Sequence, residues 1–373
     1  MTSSLYVGLM SGTSMDGIDA ALVDCSPGKT QLLATHEHPL PESMREAIAA
    51  ISHAGDNEIE RLGVLDRQLA ALFSEATLAL LAAANRQPEE IRAIGSHGQT
   101  IRHRPPSAGH TPASAFTLQI GDPNSIAELT GITTVADFRR RDVAAGGEGA
   151  PLAPAFHAAA FSAATERRAI VNIGGIANAT LLQGEELLAG FDTGPGNTLL
   201  DQWIQQHQGH TYDKDGHWSS EGEVIPALLE QLLSDAYFDR TGPRSTGKEY
   251  FNMAWLEQAL LPLPAPLPRD VQATLADVTA QSIADGIQGS GFTPEAVYIC
   301  GGGARNTDLM RRLYQKLAPA RLETTALLGI EPEWVEAAAF GWLAHQAVAG
   351  EAGNAPAVTG AKGPRILGGI YPA

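Results

Sequence analysis

The segment GLMSGTSMDGID, from Gly8 to Asp19, brings hydroxyl groups, glycines and carboxylates together between two apolar stretches. A hairpin joining such stretches needs a turn of only about two to five residues. Phosphate groups are bound by convergent N–H and O–H donors, and glycine lets the backbone approach closely. The segment therefore favours phosphate binding over a plain hairpin, and Asp16 could hold Mg²⁺, usually through its waters. The residues expected at the phosphates are Gly12, Thr13, Ser14, Met15, Asp16, Gly17, Ile18 and Asp19.

Two further glycine clusters each follow an apolar run that predicts a strand. The first, after run 169–173, is a weak signal alone because Gly-Gly turns are common in hairpins. Together with the first loop it suggests two phosphate-facing hairpins, one in each half of the chain. The second, after run 297–300, leaves a flat backbone face that suits a purine or its ribose, although a simple loop is an alternative. The residues concerned are Asn172, Gly174 and Gly175, and then Gly301, Gly302, Gly303 and Asn306.

The segment GFDTGPGN, from Gly190 to Asn197, ends a predicted strand and opens a predicted helix. A carboxylate beside a helix N-terminus would combine a base with an anion site, which favours a catalytic role for Asp192. The alternative is that Asp192 only caps a turn. The anion site would consist of Gly194, Gly196 and Asn197.

A dense polar cluster indicates a carbohydrate pocket. It comprises SHGQ (96–99), GDPN (121–124) and DFRRRD (137–142). Hydroxyl-rich ligands are bound by side chains with paired donors and acceptors, and an anionic substituent would recruit arginine. Each residue taken singly is more often an ordinary surface or capping group, and it is the density of the cluster that favours a pocket. The expected sugar contacts are His97, Gln99, Asp122 and Arg139.

Composition and charge exclude several classes of protein. The formal net charge of −17 argues against a nucleic-acid partner, which would require a basic face. The sequence contains no apolar run long enough for a membrane span, and its start lacks the pattern of a signal peptide. Cys25 and Cys300 each adjoin an apolar run and are expected to be buried, reduced thiols. A P-loop, a Rossmann fingerprint and a nucleophile elbow are all absent from the sequence. We therefore expect a cytoplasmic enzyme.

Hydrophobic periodicity predicts the same order of elements in each half. Strands over 5–10 and 18–23, a helix over 57–84 and a strand over 91–94 are followed by strands over 169–173 and 179–182, a helix over 271–288 and a strand over 297–300. The fold class expected is thus α/β. The N-terminal domain is predicted over 1–140 and completed by 350–373, and the C-terminal domain over 141–349, with the Gly-, Ala- and Pro-rich segment 142–154 as the crossover.

These motifs together resemble one family within the acetate and sugar kinase, Hsp70 and actin superfamily. GLMSGTSMDGID, SHGQ, NIGGIAN (172–178), FDTGPGN (191–197), CGGGARN (300–306) and the ending LGGIYP (367–372) are similar to those of the 1,6-anhydro-N-acetylmuramic acid kinases. The resemblance spans essentially the whole chain. It implies a two-domain actin-like ATPase fold with the active site in the interdomain cleft, ATP and Mg²⁺ as cofactors, and a homodimer.

The resemblance also implies a reaction in peptidoglycan recycling. Water opens the 1,6-anhydro ring, and the released 6-oxygen takes the γ-phosphoryl group of ATP, giving N-acetylmuramic acid 6-phosphate. The catalytic base of the family falls on Asp192 and a supporting carboxylate on Glu336. The lactyl carboxylate of the sugar would meet Arg139 or a neighbouring arginine. One departure is Gly341, where the resemblance leads us to expect alanine; glycine inside a helix costs about 1 kcal/mol.

Two other functions fit the same elements. A kinase for an ordinary hexose or amino sugar would share the nucleotide site, with Asp192 deprotonating the 6-hydroxyl directly. A non-enzymatic ATP switch of the actin or Hsp70 kind would require a polymerisation surface or an appended domain, for which 373 residues leave little room.

Overall fold

The computed structural model describes residues 4–12, 15–26, 30–111, 113–240 and 244–373. Its strands are β1 (Leu5–Met10), β2 (Gly17–Asp24), β3 (Gln31–Pro39), β4 (Ile91–Ser96), β5 (Gln99–Arg104), β6 (Phe116–Ile120), β7 (Thr134–Ala136), β8 (Arg167–Ile173), β9 (Ile176–Gln183), β10 (Glu186–Pro195), β11 (Ala296–Cys300), β12 (Arg321–Thr324) and β13 (Gly369–Tyr371). Its helices are α1 (Glu42–Ile51), α2 (Glu58–Ala83), α3 (Pro123–Thr130), α4 (Phe138–Ala144), α5 (Ala153–Phe161), α6 (Thr198–Gln208), α7 (His217–Ser220), α8 (Pro226–Leu233), α9 (Met253–Leu260), α10 (Pro268–Gly289), α11 (Thr307–Leu317), α12 (Val335–Ala349) and α13 (Pro356–Thr359).

The chain divides into two compact α/β units with the same sheet plan. The sheet of unit 1 has the order β3-β2-β1-β4-β7-β13, and that of unit 2 the order β10-β9-β8-β11-β12. In each sheet, in the order given, the first three strands pair antiparallel and the fourth strand is parallel to the third. The predicted α/β class and the repeated order of elements in the two halves are confirmed.

The unit boundaries differ from the predicted ones. Unit 1 comprises residues 1–160 and 334–373, and unit 2 comprises 161–333. Segment 142–154, predicted as the crossover, lies in unit 1 because the side chain and backbone of Asp142 bond within that unit. Helix α12 also belongs to unit 1, since it packs on β1 and β4. The C-terminal residues join the same unit because β13 pairs with β7.

Glycines allow α12 to lie against the sheet of unit 1. A Cβ atom on Gly8 would stand 1.8 Å from the carbonyl oxygen of Ala337, and one on Gly95 would stand 1.9 Å from that of Phe340. On the helix side, a Cβ on Gly341 would lie 2.6 Å from Val23 Cγ2. The glycine that departs from the expected alanine is therefore required by close packing. The opposite face of this sheet packs against α1 and α2 through a core of aliphatic residues.

The core of unit 2 lies between one face of its sheet and the helices α10 and α11. Alternate residues of the strands point into it, including Val171, Ala179 and Phe191, as the period of two in a strand requires. A second apolar cluster joins α6, α8 and α9 to α10. The neighbours of Phe191 in sequence therefore point to the other face of the sheet.

Both cysteines are buried and neither forms a disulfide, as predicted. Burial raises the pKa of the Cys25 thiol to about 12, so the thiol stays protonated. None of the helices described is both long and apolar enough to cross a membrane.

The carboxylate of Asp142, which is completely buried, fastens the C-terminal segment to unit 1. Its Oδ1 accepts hydrogen bonds of 2.8 Å from Asn354 Nδ2 and 2.8 Å from Thr359 Oγ1, and its Oδ2 accepts one of 2.9 Å from the N–H of Gly149. Removing this acceptor would leave the N–H of Gly149 without a partner, and Asn354 and Thr359 with only long contacts of 3.4 and 3.5 Å to backbone oxygens. Each buried group that loses its hydrogen bond costs about 1–3 kcal/mol.

We expect Asp142→Ala to lower the free energy of unfolding by about 3 kcal/mol or more. Denaturant midpoints measure this change, with Glu128→Ala as the control because that side chain is exposed and should change stability by less than about 0.5 kcal/mol. Equal midpoints for the two variants would contradict the account of the C-terminal segment.

Candidate active site

Asp192 lies on the face of the unit 2 sheet opposite the α10 core. Its neighbour Phe191 points into that core, so the carboxylate of Asp192 points away from it. The residue is only 7% exposed. In register, Asp192 on β10 pairs with Asn178 on β9, which in turn pairs with Asn172 on β8. A row of three polar residues therefore crosses this face of the sheet.

The segment after α8 holds one side of the Asp192 carboxylate. Oδ2 accepts a hydrogen bond of 2.9 Å from the N–H of Thr246 and one of 3.2 Å from Ser245 Oγ. The backbone oxygen of Asp192 accepts from Tyr237 Oη at 2.8 Å and from Arg244 Nε at 2.9 Å. Oδ1 accepts no hydrogen bond from any residue in the described part of the chain. The carboxylate is thus fixed through one oxygen and has the other available for a proton.

Burial raises the pKa of Asp192 to about 7, and the hydrogen bonds from Thr246 and Ser245 oppose the increase. A base is most effective when its pKa lies near the working pH. The alternative role of capping a turn does not fit, because the donors to the carboxylate come from residues more than 50 positions away in sequence. A carboxylate with this pKa and one oxygen without a hydrogen bond would suit a general base.

The start of α6 is bonded to the second hairpin. The N–H groups of Gly196 and Thr198 donate to the carbonyl of Gly175 at 2.9 and 3.1 Å, and the N–H of Asn197 donates to that of Gly174 at 2.8 Å. These N–H groups already have acceptors, so the hydrogen bonds give no support to the anion site predicted at Gly196 and Asn197, which stays a prediction. Gly196 is needed for the close approach, since a Cβ there would lie 2.3 Å from the Gly174 oxygen. Gly194, with φ 154°, packs against Phe238 and Ser282.

The three glycines after β11 have different surroundings. A Cβ on Gly301 would lie 2.4 Å from Asn172 Oδ1, and one on Gly303 would lie 2.4 Å from Ile173 Cγ2. Gly302 is open, since the nearest atom to a Cβ there is Asn197 Nδ2 at 3.8 Å. Gly174 is similarly open. These two positions therefore offer the accessible backbone that the glycine clusters predicted.

Asn306 and Asn172 have structural contacts of their own. Asn306 Oδ1 caps α11 by accepting from the N–H of Leu309 at 2.9 Å. Asn172 Oδ1 lies 3.8 Å from Cys300 Sγ, on the neighbouring strand. The sequence prediction that both contact the nucleotide has no direct support in these contacts.

The first hairpin forms as predicted, with β1 antiparallel to β2. Ser11 Oγ donates to the carbonyl of Gly17 at 3.2 Å, and the N–H of Met15 donates to that of Gly12 at 3.2 Å, which closes the loop. Asp16 is exposed on it. Two other predicted residues serve packing or pairing: the Ile18 side chain is fully buried in the unit 1 core, and Asp19 pairs with Met10 across the hairpin. The predicted Thr13 and Ser14 lie outside the described residues.

In unit 1, the structure brings His97 and Arg139 together. His97 Nε2 accepts from Arg139 Nε at 3.2 Å and from Nη2 at 3.0 Å, while Nη1 donates to the carbonyl of Gly149 at 2.9 Å. Burial, with the nearby Arg139 charge, lowers the pKa of His97 to about 3, so the ring is neutral and carries its proton on Nδ1. Arg139 is therefore a positive charge held in a fixed orientation by a neutral acceptor.

Polar atoms around this pair lack partners. Ser96 Oγ and Gln99 Oε1 are buried and form no hydrogen bond with the residues that the structure describes. Buried polar atoms are almost always bonded, either to protein or to a ligand or water. Glu336 lies in the first turn of α12. Burial raises its pKa above the ordinary value, and the charge of Arg139 offsets only part of that rise. Together with His97, four polar residues offer the hydrogen-bond donors and acceptors that sugar binding would require: Ser96, Gln99, Arg139 and Glu336.

Asp122, also predicted to bind sugar, caps α3. Its carboxylate accepts from the N–H groups of Asn124 at 3.1 Å and Ser125 at 3.2 Å, and from Ser125 Oγ. Burial raises the pKa of Asp122, but these hydrogen bonds outweigh it and hold the pKa below its ordinary value. Asp122 has a structural role, and we do not retain it among the sugar contacts.

The residues that hold Asp192 were not predicted from the sequence. Tyr237, Arg244, Ser245 and Thr246 are more than 40 positions from it and belong to no motif used above. The run RSTG (244–247), polar and placed after an aromatic pair, was the available signal. Asn178 was inside the NIGGIAN motif but was not assigned a role.

Unit 2 thus holds a buried carboxylate with a pKa of about 7, and unit 1 holds a fixed arginine beside buried polar atoms without partners. Comparison with known proteins shows the class of enzyme, a sugar kinase that phosphorylates an alcohol. The family model for anhydro-N-acetylmuramic acid kinase matches residues 4–373. An anhydro-N-acetylmuramic acid kinase of Pseudomonas putida is 51% identical over 370 residues, covering 99% of this chain and 100% of the relative. One of Saccharophagus degradans is 52% identical over 375 residues, covering 100% of both chains. The chain belongs to the anhydro-N-acetylmuramic acid kinase family.

Solved structures with more distant sequences are also similar. An activator of 2-hydroxyisocaproyl-CoA dehydratase from Clostridium difficile with bound ADPNP has a TM-score of 0.47 at 12% identity, covering 90% of this chain and 92% of the other. A ROK family glucokinase from Streptomyces griseus in complex with glucose and AMPPNP has a TM-score of 0.39 at 15% identity, covering 91% and 99%.

Proposed function

We propose that this chain opens the ring of 1,6-anhydro-N-acetylmuramic acid with water and phosphorylates the released 6-oxygen from ATP, forming N-acetylmuramic acid 6-phosphate and ADP in peptidoglycan recycling. The observation that carries the proposal is the Asp192 carboxylate, which is fixed through Oδ2, available at Oδ1 and has a pKa of about 7. Opening the anhydro bridge requires a base for water, which this group supplies.

The reaction places one proton on Asp192. Oδ1 accepts a proton from water as the water oxygen bonds to the anomeric carbon, and the bond from that carbon to O6 breaks. The electron pair on O6 then forms the bond to the γ-phosphoryl group, and ADP leaves. The hydrogen bonds from Thr246 and Ser245 hold the carboxylate in place during the transfer. Positioning of this kind supplies much of the barrier reduction in phosphoryl transfer.

The substrate residues follow from the clusters already described. Arg139, held by His97, would pair with the lactyl carboxylate, and Gln99 Oε1 would accept from a sugar donor. Glu336 would act as a supporting carboxylate near the part of the sugar that reacts. Gly174 and Gly302 would let the nucleotide approach the backbone, and the first hairpin, Gly12 to Asp19, would contact the phosphates.

Magnesium would be held with help from the triphosphate. The described residues include no group of three His, Cys, Asp or Glu side chains that could bind a metal by themselves. Mg²⁺ commonly takes one or two carboxylates and completes its shell with phosphates and waters. The exposed Asp16 fits that pattern. The ion would neutralise charge on the phosphates. A homodimer and a cytoplasmic location are also part of the proposal.

Release of ADP in the presence of candidate sugars tests the proposed function. We expect ADP formation with 1,6-anhydro-N-acetylmuramic acid and little with glucose or N-acetylglucosamine. Equal rates with ordinary hexoses would favour the general sugar kinase, and ATP turnover that no sugar changes would favour the ATP switch.

The pH profile tests Asp192 as the base. Because the carboxylate must be ionised and its pKa is about 7, we expect kcat/KM to fall about tenfold for each pH unit below 7. Ser245→Ala removes one hydrogen bond to Oδ2, which favours the protonated form, so the acidic limb should move to higher pH. An acidic limb near pH 4 in both proteins would contradict this assignment.

A further inference from the structure

Asn178 occupies the middle of the polar row on the sheet of unit 2. It is paired in register with Asp192 on one side and with Asn172 on the other. Directly opposite residues on antiparallel strands have Cβ atoms about 4.5–5.5 Å apart and point to the same face. Its neighbours Ala177 and Ala179 lie in the α10 core, so the Asn178 side chain is on the Asp192 face.

The amide oxygen of Asn178 is a buried acceptor without a protein donor. Oδ1 is buried and receives no hydrogen bond from the residues described. The two flanking polar side chains do not satisfy it: Asp192 accepts from Thr246 and Ser245, and Asn172 Oδ1 lies beside the Cys300 thiol. An unpaired buried acceptor destabilises the folded protein because it has lost its hydrogen bonds to water. A ligand or water with an O–H group next to Asp192 would remove that cost.

The nucleophilic water of the proposed reaction has the required groups. Water carries two O–H bonds, and Asp192 Oδ1 can accept only the one that it will deprotonate. A second acceptor one strand away fixes the other O–H bond, so that an oxygen lone pair is directed at the anomeric carbon. Orientation of a bound reactant lowers the activation barrier because less freedom is lost on the way to the transition state.

We propose that Asn178 Oδ1 accepts the second O–H of the attacking water and orients it, an inference that rests on the proposed function. The water oxygen bonds to the anomeric carbon and the bond to O6 breaks. One proton passes to Asp192, and the other remains on the new anomeric hydroxyl, still donated to Asn178. O6 takes the phosphoryl group. Asn178 is thus a catalytic residue through its contact with the reacting water.

Kinetics of two Asn178 variants, with Asp192→Asn in parallel, test this inference. Asn178→Ala removes the acceptor and should lower kcat by about 10²-fold, with the KM for ATP and the melting temperature unchanged. Asn178→Asp keeps an acceptor but adds a negative charge beside Asp192, which raises the pKa of that base. The Asp variant should therefore recover activity above pH 8 and show an acidic limb at higher pH than the parent chain.

Each result has one meaning. Full activity of Asn178→Ala beside an inactive Asp192→Asn variant overturns the inference alone. Equal losses in the Ala and Asp variants at every pH, with lowered melting temperatures, assign Asn178 to structure and also overturn it. Full activity of Asp192→Asn overturns the proposed base and, with it, the role of Asn178.

Discussion

Replacing Asp192 with asparagine is expected to lower kcat for the anhydro sugar by about 10²- to 10⁴-fold, the contribution typical of a general base. Asparagine keeps an oxygen that can accept from Thr246 and Ser245, so the site should keep its shape. What is lost is the ability to accept a proton. Steady-state ADP release measures kcat, and titration calorimetry with ATP measures nucleotide binding, which should not change.

The matched control for this variant is Asp285→Asn. That residue is an exposed aspartate on α10 of the same unit, bonded to Gln281, and the substitution should leave kcat unchanged. An Asp192→Asn enzyme with the activity of the control would remove the base from the mechanism.

The same variant should be more stable than the parent protein at high pH. Because the folded pKa of Asp192 is about 7 and its ordinary value is 3.8, ionisation in the folded state is unfavourable. The stability associated with this group is complete below pH 4 and is lost as the pH rises through 7. At pH 8 we therefore expect Asp192→Asn to melt at a higher temperature than the parent, by about 2–4 °C for each kcal/mol gained in the free energy of unfolding. At pH 4 we expect no gain. A gain that is equal at both pH values would contradict the buried ionisable base.

Gly8→Ala is expected to have the largest effect on folding. The added methyl group would stand 1.8 Å from the carbonyl oxygen of Ala337 and 2.5 Å from the N–H nitrogen of Gly341, both backbone atoms of α12. Overpacking commonly costs about 1–3 kcal/mol, and here neither the strand nor the helix can rotate a side chain away. We expect a loss of more than about 3 kcal/mol in the free energy of unfolding, measured by denaturant titration.

Gly63→Ala is the matched control. Gly63 lies exposed within α2, and a Cβ there would meet nothing within 4 Å. Because alanine is a better helix former, that variant should gain about 0.5–1 kcal/mol. The same substitution is thus expected to change stability in opposite directions at two sites. A stable, fully folded Gly8→Ala protein would contradict the packing of α12 on β1.

The repeated elements could be predicted from sequence because each is a local pattern. The predicted helix over 271–288 corresponds to α10, and the predicted strand over 297–300 corresponds to β11. Cap chemistry was less predictable. Asparagine is a residue type favoured at helix N-caps, but Asn57, which precedes α2, adopts a left-handed backbone (φ 53°) and forms no side-chain cap. Capping depends on the backbone angle at one residue, which sequence type alone does not determine.

The candidate base could be predicted, but not the groups that hold it. Asp192 adjoins a Gly-Pro-Gly turn, which is a local signal, whereas Ser245 and Thr246 reach it from a distant loop. The alternation of alanine and asparagine in β9 indicates two faces of a strand, but only the register shows that Asn178 is opposite Asp192. The unit boundary was misplaced for the same reason, since α12 is assigned by its packing on β1 and not by its distance along the chain.

The most direct test of the central claim is the mass of the sugar product formed from MgATP and 1,6-anhydro-N-acetylmuramic acid. We expect a product heavier than the substrate by one phosphate and one water, and none from the Asp192→Asn variant. A product heavier by phosphate alone would mean that the ring stays closed, and would contradict both the attacking water and the base assigned to activate it.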